Sequence, residues 1–372
     1  MELSAIVQSL EKFLVSNISY QLCKMDKQEK KIFFLVPGKS IFWNSHGGSI
    51  FAQQLCMALS EIINVQEVTY EEVHEQIPYL NDVLSTATDK AIWVMYWGPH
   101  IDKLQRLLWG RNVLLFAQSA QCYEFEISPQ TVVISISRFV QSWFASNFPH
   151  NPVYLLYPRL SIADYDPEGD RPIDILHHSR KSALYMKEST LLSELSRRFN
   201  VHEVKGFIKR EELLCLFTQS KIYLYSLDIQ RLGVEGLGMQ PLEALLHGCM
   251  VFSELGAGLS DFMNFGPTIR QIGVRSLEYD IDSLTRVLEQ WSPVEPQASL
   301  NFLTDKTRYH QELSSIWEEI LRFFNFQVAV ELDYSSLMKD LEKERYKRQH
   351  PGFFRRVMNK IERELMRNHG SK

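Results

Sequence analysis

The sequence predicts an α/β protein built from two successive parallel sheets. Its 372 residues exceed what one core usually holds and suit two domains of roughly 150 residues each. Short apolar runs alternate with helix-like stretches along most of the chain, which is typical of buried parallel strands covered by helices on both faces. The alternation stops once, at residues 151–172, where Pro, Asp and Gly accumulate, and then restarts. We therefore place a domain junction in this segment.

The first domain follows an N-terminal helical segment at about residues 2–16. The run KKIFFLVPG predicts a buried strand that ends in a turn, and SIFAQQLCMALSEI carries apolar residues at helical spacing. Four further apolar runs follow, separated by helix-like stretches, and VQSWFASNF comes after the last of them. The predicted strands are residues 30–38, 65–70, 91–98, 112–119 and 131–137.

The second domain repeats this alternation after the junction. The segment NVHEVKGFI leads into a helix, and the glycine-rich stretch GVEGLGMQPLEALLHG, residues 233–248, lies between two strands and itself continues into a helix. The predicted strands are residues 173–179, 221–226 and 249–254, and the other predicted helices are 189–199, 210–220 and 304–324.

Charge and cysteine content limit the class of function. The net charge is -5, but Lys339–Lys372 holds 11 Lys and Arg against 5 Asp and Glu, so an acidic body carries a basic tail. This distribution argues against a nucleic-acid partner. The five cysteines lack C-x-x-C spacing, which disfavours a disulfide framework or a cysteine zinc site and fits a reducing compartment. Without a signal-peptide pattern or an apolar run of the ~20 residues that span a bilayer, we expect a cytoplasmic protein.

Two glycine-containing turns lie where a strand meets a helix. Gly47 and Gly48 form one of them, and Gly236 and Gly238 form the other, just before Pro241. Without a Cβ the backbone can approach a ligand closely, and helix N-termini favour anions. We therefore expect a phosphate group as the ligand. The carboxyl ends of the strands in two such domains would create a cleft for it.

Two carboxylates bracket the second turn. Glu235 precedes it and Glu243 lies in what reads as the first turn of the helix. A carboxylate does not favourably contact a diphosphate, whereas it accepts hydrogen bonds from hydroxyl groups. The pair therefore favours a ligand that carries hydroxyls on both sides of its phosphates, as a nucleotide sugar does.

These residues resemble a known family. EGLGMQPLEALLHGCMVFSE, residues 235–254, resembles the E-x7-E segment of the retaining glycosyltransferases of the large family 4, which have the GT-B fold. Three other stretches resemble the same family, and the resemblance covers about residues 30 to 325. They are GFIKREELLCLFTQSKIYLYS, the interdomain stretch YPRLSIADYDP and the loop and helix HGGSIFAQQLCMAL.

The resemblance implies two Rossmann-like domains facing a cleft, with a C-terminal helical tail. The first domain, residues 1–157, would bind the acceptor, and the second, residues 158–330, would bind the nucleotide sugar. Residues 331–372 would form the basic helical tail. In the tail, PGFFRRVMNKIERELMR, residues 351–367, predicts an amphipathic cationic helix that either lies on an anionic membrane, at its cytoplasmic face, or packs back on the first domain.

The resemblance also implies roles for particular residues. Glu243 would accept from the ribose hydroxyls, and Glu235 would bind the transferred sugar. An Arg and a Lys would neutralise the diphosphate as the leaving group departs; Arg180 fits the first, and Lys187, or with less support Lys181, fits the second. Other donor contacts are expected from Gly47, Gly48, Gly206, Phe207, Ile208, Gly238, Met239 and Gln240. On the acceptor side, His100 stands in a loop after a strand, and Gln118 is a weaker candidate.

We thus expect a glycosyltransferase that moves a sugar from a nucleotide-sugar donor to a glycan or lipid-linked acceptor, with retention, without a metal ion or other cofactor. Two alternatives stay open: a GT-B scaffold without catalysis that serves as a binding subunit, and a nucleotide-sugar epimerase of the same fold. Two D-x-D triplets, Asp164–Asp166 and Asp280–Asp282, lie in turn-like surroundings and are not expected to bind a metal. The adjacent His177 and His178 point to opposite faces of a strand and cannot share an ion.

Overall fold

The computed structural model describes residues 31–41, 47–120, 125–160, 162, 169–179, 185–206, 208–225, 236–254, 256, 258–263, 268–273, 276–292 and 298–326. All strands among them belong to two parallel sheets, and both sheets lie in one compact unit, residues 1–324. The predicted N-terminal helix and the basic tail lie outside the described residues.

The first sheet has six parallel strands in the order β2-β1-β3-β4-β5-β6. In the described part of the chain, four helices lie in the connections between these strands. The strands are β1 (Ile32–Val36), β2 (Val65–Thr69), β3 (Ile92–Tyr96), β4 (Asn112–Ala117), β5 (Thr131–Ser135) and β6 (Val153–Leu155), and the helices are α1 (Gly47–Ile62), α2 (Leu80–Thr86), α3 (Ile101–Leu107) and α4 (Arg138–Asn147).

The inner strands of this sheet are buried on both faces. In β1, Ile32, Phe34 and Val36 belong to one apolar cluster, while Phe33 and Leu35 belong to another on the opposite face. Because successive side chains of a strand point to opposite faces, a strand covered on both sides must be apolar throughout. This requirement explains why the sequence shows continuous apolar runs here and not an alternation.

The second sheet has five parallel strands in the order β11-β10-β9-β7-β8. Its strands are β7 (Ile173–Ser179), β8 (Val201–Lys205), β9 (Ser220–Tyr225), β10 (Met250–Ser253) and β11 (Ile269–Gln271). The helices that follow β6 in the chain are α5 (Tyr185–Leu195), α6 (Arg210–Thr218), α7 (Met239–Leu246), α8 (Leu277–Glu289) and α9 (Lys306–Asn325), with short 3₁₀ turns at Leu259–Asp261 and Ala298–Leu303. Of these, α9 forms ion pairs with Glu61 of α1.

Both sheets reverse their strand order at the same place. In each, the first strand lies between the second and the third, so the chain winds outward in two directions from there. Ligands of open parallel sheets bind at the carboxyl ends of the strands beside such a switch point. The fold therefore offers one ligand-binding edge per sheet, between β1 and β3 in the first and between β7 and β9 in the second.

The structure corrects the sequence analysis in three places. Strands β6, β8 and β11 were not predicted, although β8 lies within the segment read as leading into α6. Helix α7 begins at Met239, so Glu243 lies in its second turn and not in its first. The triplet Asp280–Asp282 lies inside α8 and not in a turn, while Asp164–Asp166 is outside the described residues.

Candidate functional site

The glycine-rich turn before α7 depends on the conformation of Gly238. This residue has φ 81° and is the N-cap of the helix. Its left-handed backbone favours glycine, because a side chain there would be strained. Pro241 is the third residue of α7, where the absent N–H has no partner within the helix in any case. The predicted strand–turn–helix arrangement is thus present, and residues Pro241–Leu246 are all buried.

The same turn touches the first sheet. A Cβ atom built on Gly236 would lie 1.8 Å from the carbonyl oxygen of Gln118, which follows β4. A Cβ atom on Gly258 would lie 2.1 Å from the carbonyl oxygen of Gly236. The side chain of Gln118 also donates from Nε2 to the carbonyl oxygen of Gly48, at 2.7 Å. Gly47 and Gly48 lie in the first turn of helix α1 and not in a turn before it. Gly48 and the turn at Gly236 are brought together through Gln118, at the carboxyl ends of both sheets.

Glu243 is buried and forms an ion pair. Its side chain is 1% exposed, and its Oε1 pairs with Nη2 of Arg210, the first residue of α6. Burial raises the pKa of Glu243 from 4.5 to about 7; the charge and hydrogen bond of Arg210 lower the pKa, but they do not offset the desolvation. Arg210 was not identified from the sequence, where nothing links it to a residue 33 positions away.

A buried arginine fixes the two helices that carry this pair. Arg171 is 4% exposed and donates to three carbonyl oxygens: those of Phe217 at 3.1 Å, Ser220 at 2.6 Å and His247 at 2.6 Å. These carbonyls lie at the ends of α6 and α7 and the start of β9. Helix C-termini favour positive charge, so the guanidinium locks both helices against the sheet.

A second network joins two predicted donor contacts. His178, near the end of β7, hydrogen-bonds through Nε2 to the carbonyl oxygen of Gly206, at 2.8 Å. Its Nδ1 lies 3.5 Å from Nε2 of Gln240, in the first turn of α7. The hydroxyl of Tyr223, on β9, donates to Oε1 of Gln240 at 3.1 Å. His177 is buried whereas His178 is partly exposed, as the alternation along the strand predicts.

In the first sheet, His100 is paired with an acid. It is the N-cap residue of α3, on the carboxyl side of β3, and its Nε2 contacts Oε1 of Glu71. The ring of Tyr70 lies 5.9 Å from the imidazole, centroid to centroid. Burial, with a smaller contribution from Glu71, raises the pKa of nearby Tyr96 to about 12, so this phenol stays protonated. Glu71 was not singled out from the sequence.

The remaining predicted site residues take the following places. Gly47 is the first residue of α1 and Lys187 lies within α5. Ile208 and Met239 are partly buried and pack against the core. Glu235, Arg180, Lys181 and Phe207 lie outside the described residues, so their roles stay predictions.

The first and second sheets are also connected by an acid at a helix start. Oδ2 of Asp261 accepts from the backbone N–H of Arg138, at 2.6 Å, and from the hydroxyl of Tyr157, at 3.0 Å. Arg138 is the first residue of α4, whose other cap is the hydroxyl of Ser137, which accepts from Val140 N. An acid of the second sheet's 3₁₀ turn thus caps a helix of the first sheet.

Within the described ranges, no three His, Cys, Asp or Glu side chains are grouped so that they could hold a metal ion. Among the helices in the described part of the chain, none has both the length and the apolar character needed to cross a membrane.

Solved structures share this fold. A glycosyltransferase from Rickettsia africae ESF-5 matches with a TM-score of 0.53 at 12% identity, over 78% of this chain and 98% of that chain. Anabaena HepE in complex with UDP and glucose matches with a TM-score of 0.54 at 11% identity, over 78% and 99%. AviGT4, a glycosyltransferase involved in avilamycin A biosynthesis, matches with a TM-score of 0.51 at 14% identity, over 80% and 98%. The predicted fold of two Rossmann-like parallel sheets, as in GT-B glycosyltransferases, is therefore confirmed. No family model and no curated protein sequence matches the chain.

Proposed function

We propose that this protein is a glycosyltransferase that moves a sugar from a nucleotide-sugar donor to a glycan or lipid-linked acceptor with retention of anomeric configuration. The reaction breaks the bond between the anomeric carbon and the donor phosphate and forms a bond to an acceptor oxygen. The acceptor proton passes to the departing phosphate, so no metal ion and no covalent enzyme intermediate are required.

The observation that carries this proposal is the meeting of Gly48 with the glycine turn at Gly236. Gly48 at the start of α1 and Gly236 before α7 both contact Gln118, so two helix N-termini converge where the sheets present their carboxyl ends. Converging helix N-termini favour a ligand with more than one phosphate. The shared fold with HepE, which is seen with UDP and glucose, supports the same class of donor.

The proposed roles follow the residues around this turn. Glu243 would meet the ribose and Glu235 the transferred sugar, while Arg180 and Lys187 would neutralise the diphosphate. For Glu243 this requires that the ligand's hydroxyls approach a carboxylate already paired with Arg210. His100 with Glu71 would lie on the acceptor side, at the edge of the first sheet.

A thermal-shift screen tests the donor. A ligand that binds the native state raises its apparent stability, by about 2.7 kcal/mol at a hundredfold excess over Kd. We expect one of the UDP-, GDP- or dTDP-sugars to raise the Tm of the full chain and the others to raise it less. The positive donor is then incubated with candidate acceptors, and the products are identified by mass spectrometry.

The assay separates this proposal from the alternatives. Sugar transfer that falls by orders of magnitude in Glu235→Gln and Arg180→Ala supports it, provided that both variants keep the wild-type Tm. Stabilisation by a donor without transfer or hydrolysis would point to a binding subunit, and conversion of the donor without an acceptor would point to an epimerase. Near-wild-type transfer by both variants would contradict the assigned roles.

A further inference from the structure

We propose that His178 is a positioning residue of the donor site, which holds the turn at Gly206 and the side chain of Gln240 in fixed register and thereby sets the affinity for the nucleoside diphosphate. This inference rests on the proposed function, because Gly206 and Gln240 are donor contacts only if the site takes a nucleotide sugar. His178 itself has no role in the functions considered so far.

The position of His178 supports such a role. It is the penultimate residue of β7, the strand that lies at the switch point of the second sheet. Its ring reaches the loop after β8 on one side and the first turn of α7 on the other. These two segments come from different connections of the sheet, 34 residues apart in the chain, and the imidazole contacts both.

The hydrogen-bond directions specify one tautomer of the ring. The carbonyl oxygen of Gly206 can only accept, so Nε2 of His178 carries the proton. Nδ1 is then the acceptor and faces the amide Nε2 of Gln240. The hydroxyl of Tyr223 donates to Oε1 of Gln240, which leaves the amide nitrogen oriented towards the imidazole. With the proton on Nε2 and none on Nδ1, each step of the chain Tyr223–Gln240–His178–Gly206 pairs a donor with an acceptor.

The hydrogen bond from His178 to Gly206 should reduce the entropy that the protein loses when the donor binds. Gly206 has φ 79°, and no heavy atom of the described residues outside its chain neighbours lies within 4 Å of where a Cβ would be. The hydrogen bond from His178 fixes its carbonyl before a ligand arrives. A preorganised contact loses less entropy on binding, and the loss of the imidazole should therefore weaken donor binding more than it slows the chemical step.

The test compares three substitutions of His178. In His178→Gln the side-chain amide can reach the position of Nε2 and keep the bond to Gly206, whereas in His178→Asn it reaches only the position of Nδ1. His178→Ala removes both bonds. The matched control is His202→Ala, which removes an exposed histidine from the adjacent strand β8. Kd is measured by calorimetry with whichever of UDP, GDP or dTDP binds the wild-type chain, and KM and kcat are measured with the corresponding sugar.

We expect Kd and KM to rise about tenfold in His178→Ala, since about 1.4 kcal/mol corresponds to a factor of ten. His178→Gln should stay within about threefold of wild type, His178→Asn should resemble His178→Ala, and kcat should change by no more than about twofold in any of them. His202→Ala should bind as wild type does. Wild-type Kd in His178→Ala, or a Gln variant as weak as the Ala variant, would overturn the inference.

A spectroscopic measurement tests the network independently of activity. Long-range ¹H–¹⁵N spectra of the ¹⁵N-histidine-labelled wild-type chain, assigned with His178→Gln, should show an unprotonated Nδ1 and a protonated Nε2 for His178. The opposite tautomer would overturn the network. If the wild-type chain binds none of the three nucleotides, the proposed function fails and this inference fails with it; if it binds one and His178→Ala binds equally well, only this inference fails.

Discussion

Glu243 is the residue whose environment differs most from what its sequence context suggests. The motif alone presents an acid near a helix start, where a carboxylate is ordinarily exposed and ionised. In the structure the acid is 1% exposed and paired with Arg210, so it combines a high desolvation cost with one charged partner among the described residues. A buried ionisable group with a shifted pKa and one charged partner, located at the carboxyl ends of parallel strands, is typical of a functional site.

The raised pKa of Glu243 predicts how stability depends on pH. Because the folded pKa is about 7 and the ordinary value is 4.5, the folded chain holds this proton more tightly than the unfolded chain between those values. The contribution to stability is therefore complete below pH 4.5 and is lost as the pH rises to 7. The loss is about 3 kcal/mol at most.

Glu243→Gln removes this dependence because the amide does not titrate. Urea denaturation at several pH values should show that the unfolding free energy of wild type, minus that of Glu243→Gln, decreases between pH 4.5 and pH 7 and is constant above pH 8. A difference that stays constant or increases over this interval would show that the carboxylate is ionised throughout.

At the scale of elements, the sequence predicted every inner strand of the two described sheets but only one of their four edge strands, β2. The inner strands β1, β3, β4, β5, β9 and β10 are nearly or fully apolar and appear as continuous runs. The three missed strands, β6, β8 and β11, all lie at sheet edges. An edge strand is paired on one side only and is partly exposed, so it has no continuous apolar run.

The residues of the site also fall into two groups, those with a local sequence signal and those without one. The glycine turn and the helix start of α7 could be predicted, because glycine and proline act locally on the backbone. The partners Arg210, Glu71 and His178 could not, because each one reaches a predicted residue through the packing of a separate element.

Helix α4 supplies a prediction at this scale. Its N-terminus is capped by its own Ser137 and by Asp261 from the other sheet. A capping carboxylate contributes about 1–2 kcal/mol through the exposed N–H groups and the helix dipole. Asp261→Ala should therefore lower the unfolding free energy by about that amount, and Asp261→Asn, whose amide oxygen still accepts, should lower it by less.

Urea denaturation of these variants is compared with Asp282→Ala as the control. Asp282 is exposed and, among the residues the structure describes, pairs with Arg286 one turn away, an interaction worth about 0.5 kcal/mol or less. If Asp261→Ala is no more destabilising than Asp282→Ala, the cap does not help to join the two sheets.

At the scale of the whole molecule, the two sheets are joined by close backbone contact as well as by side chains. Gly258, Gly236 and Gln118 are stacked so closely that a single methyl group would not fit between them. The amide of Gln54, on α1, adds two hydrogen bonds to the backbone of Arg159 in the connecting segment, at 2.6 and 3.0 Å. No local pattern encodes this proximity, since it requires residues from five parts of the chain.

Gly236→Ala is the change that tests this contact. The new Cβ would lie 1.8 Å from the carbonyl oxygen of Gln118, a backbone atom that cannot rotate away, so the strand end and the turn must separate. We expect the unfolding free energy to fall by about 1–3 kcal/mol, as overpacking usually costs, and the affinity for the nucleotide to fall with it. The matched control is Gly98→Ala, where no heavy atom of the described residues lies within 4 Å of the added Cβ and which should behave as wild type. The unfolding free energy of both variants is measured by urea denaturation, and their Kd for the nucleotide by calorimetry. If Gly236→Ala is as stable and binds as tightly as Gly98→Ala, the two sheets do not approach each other at this turn in solution.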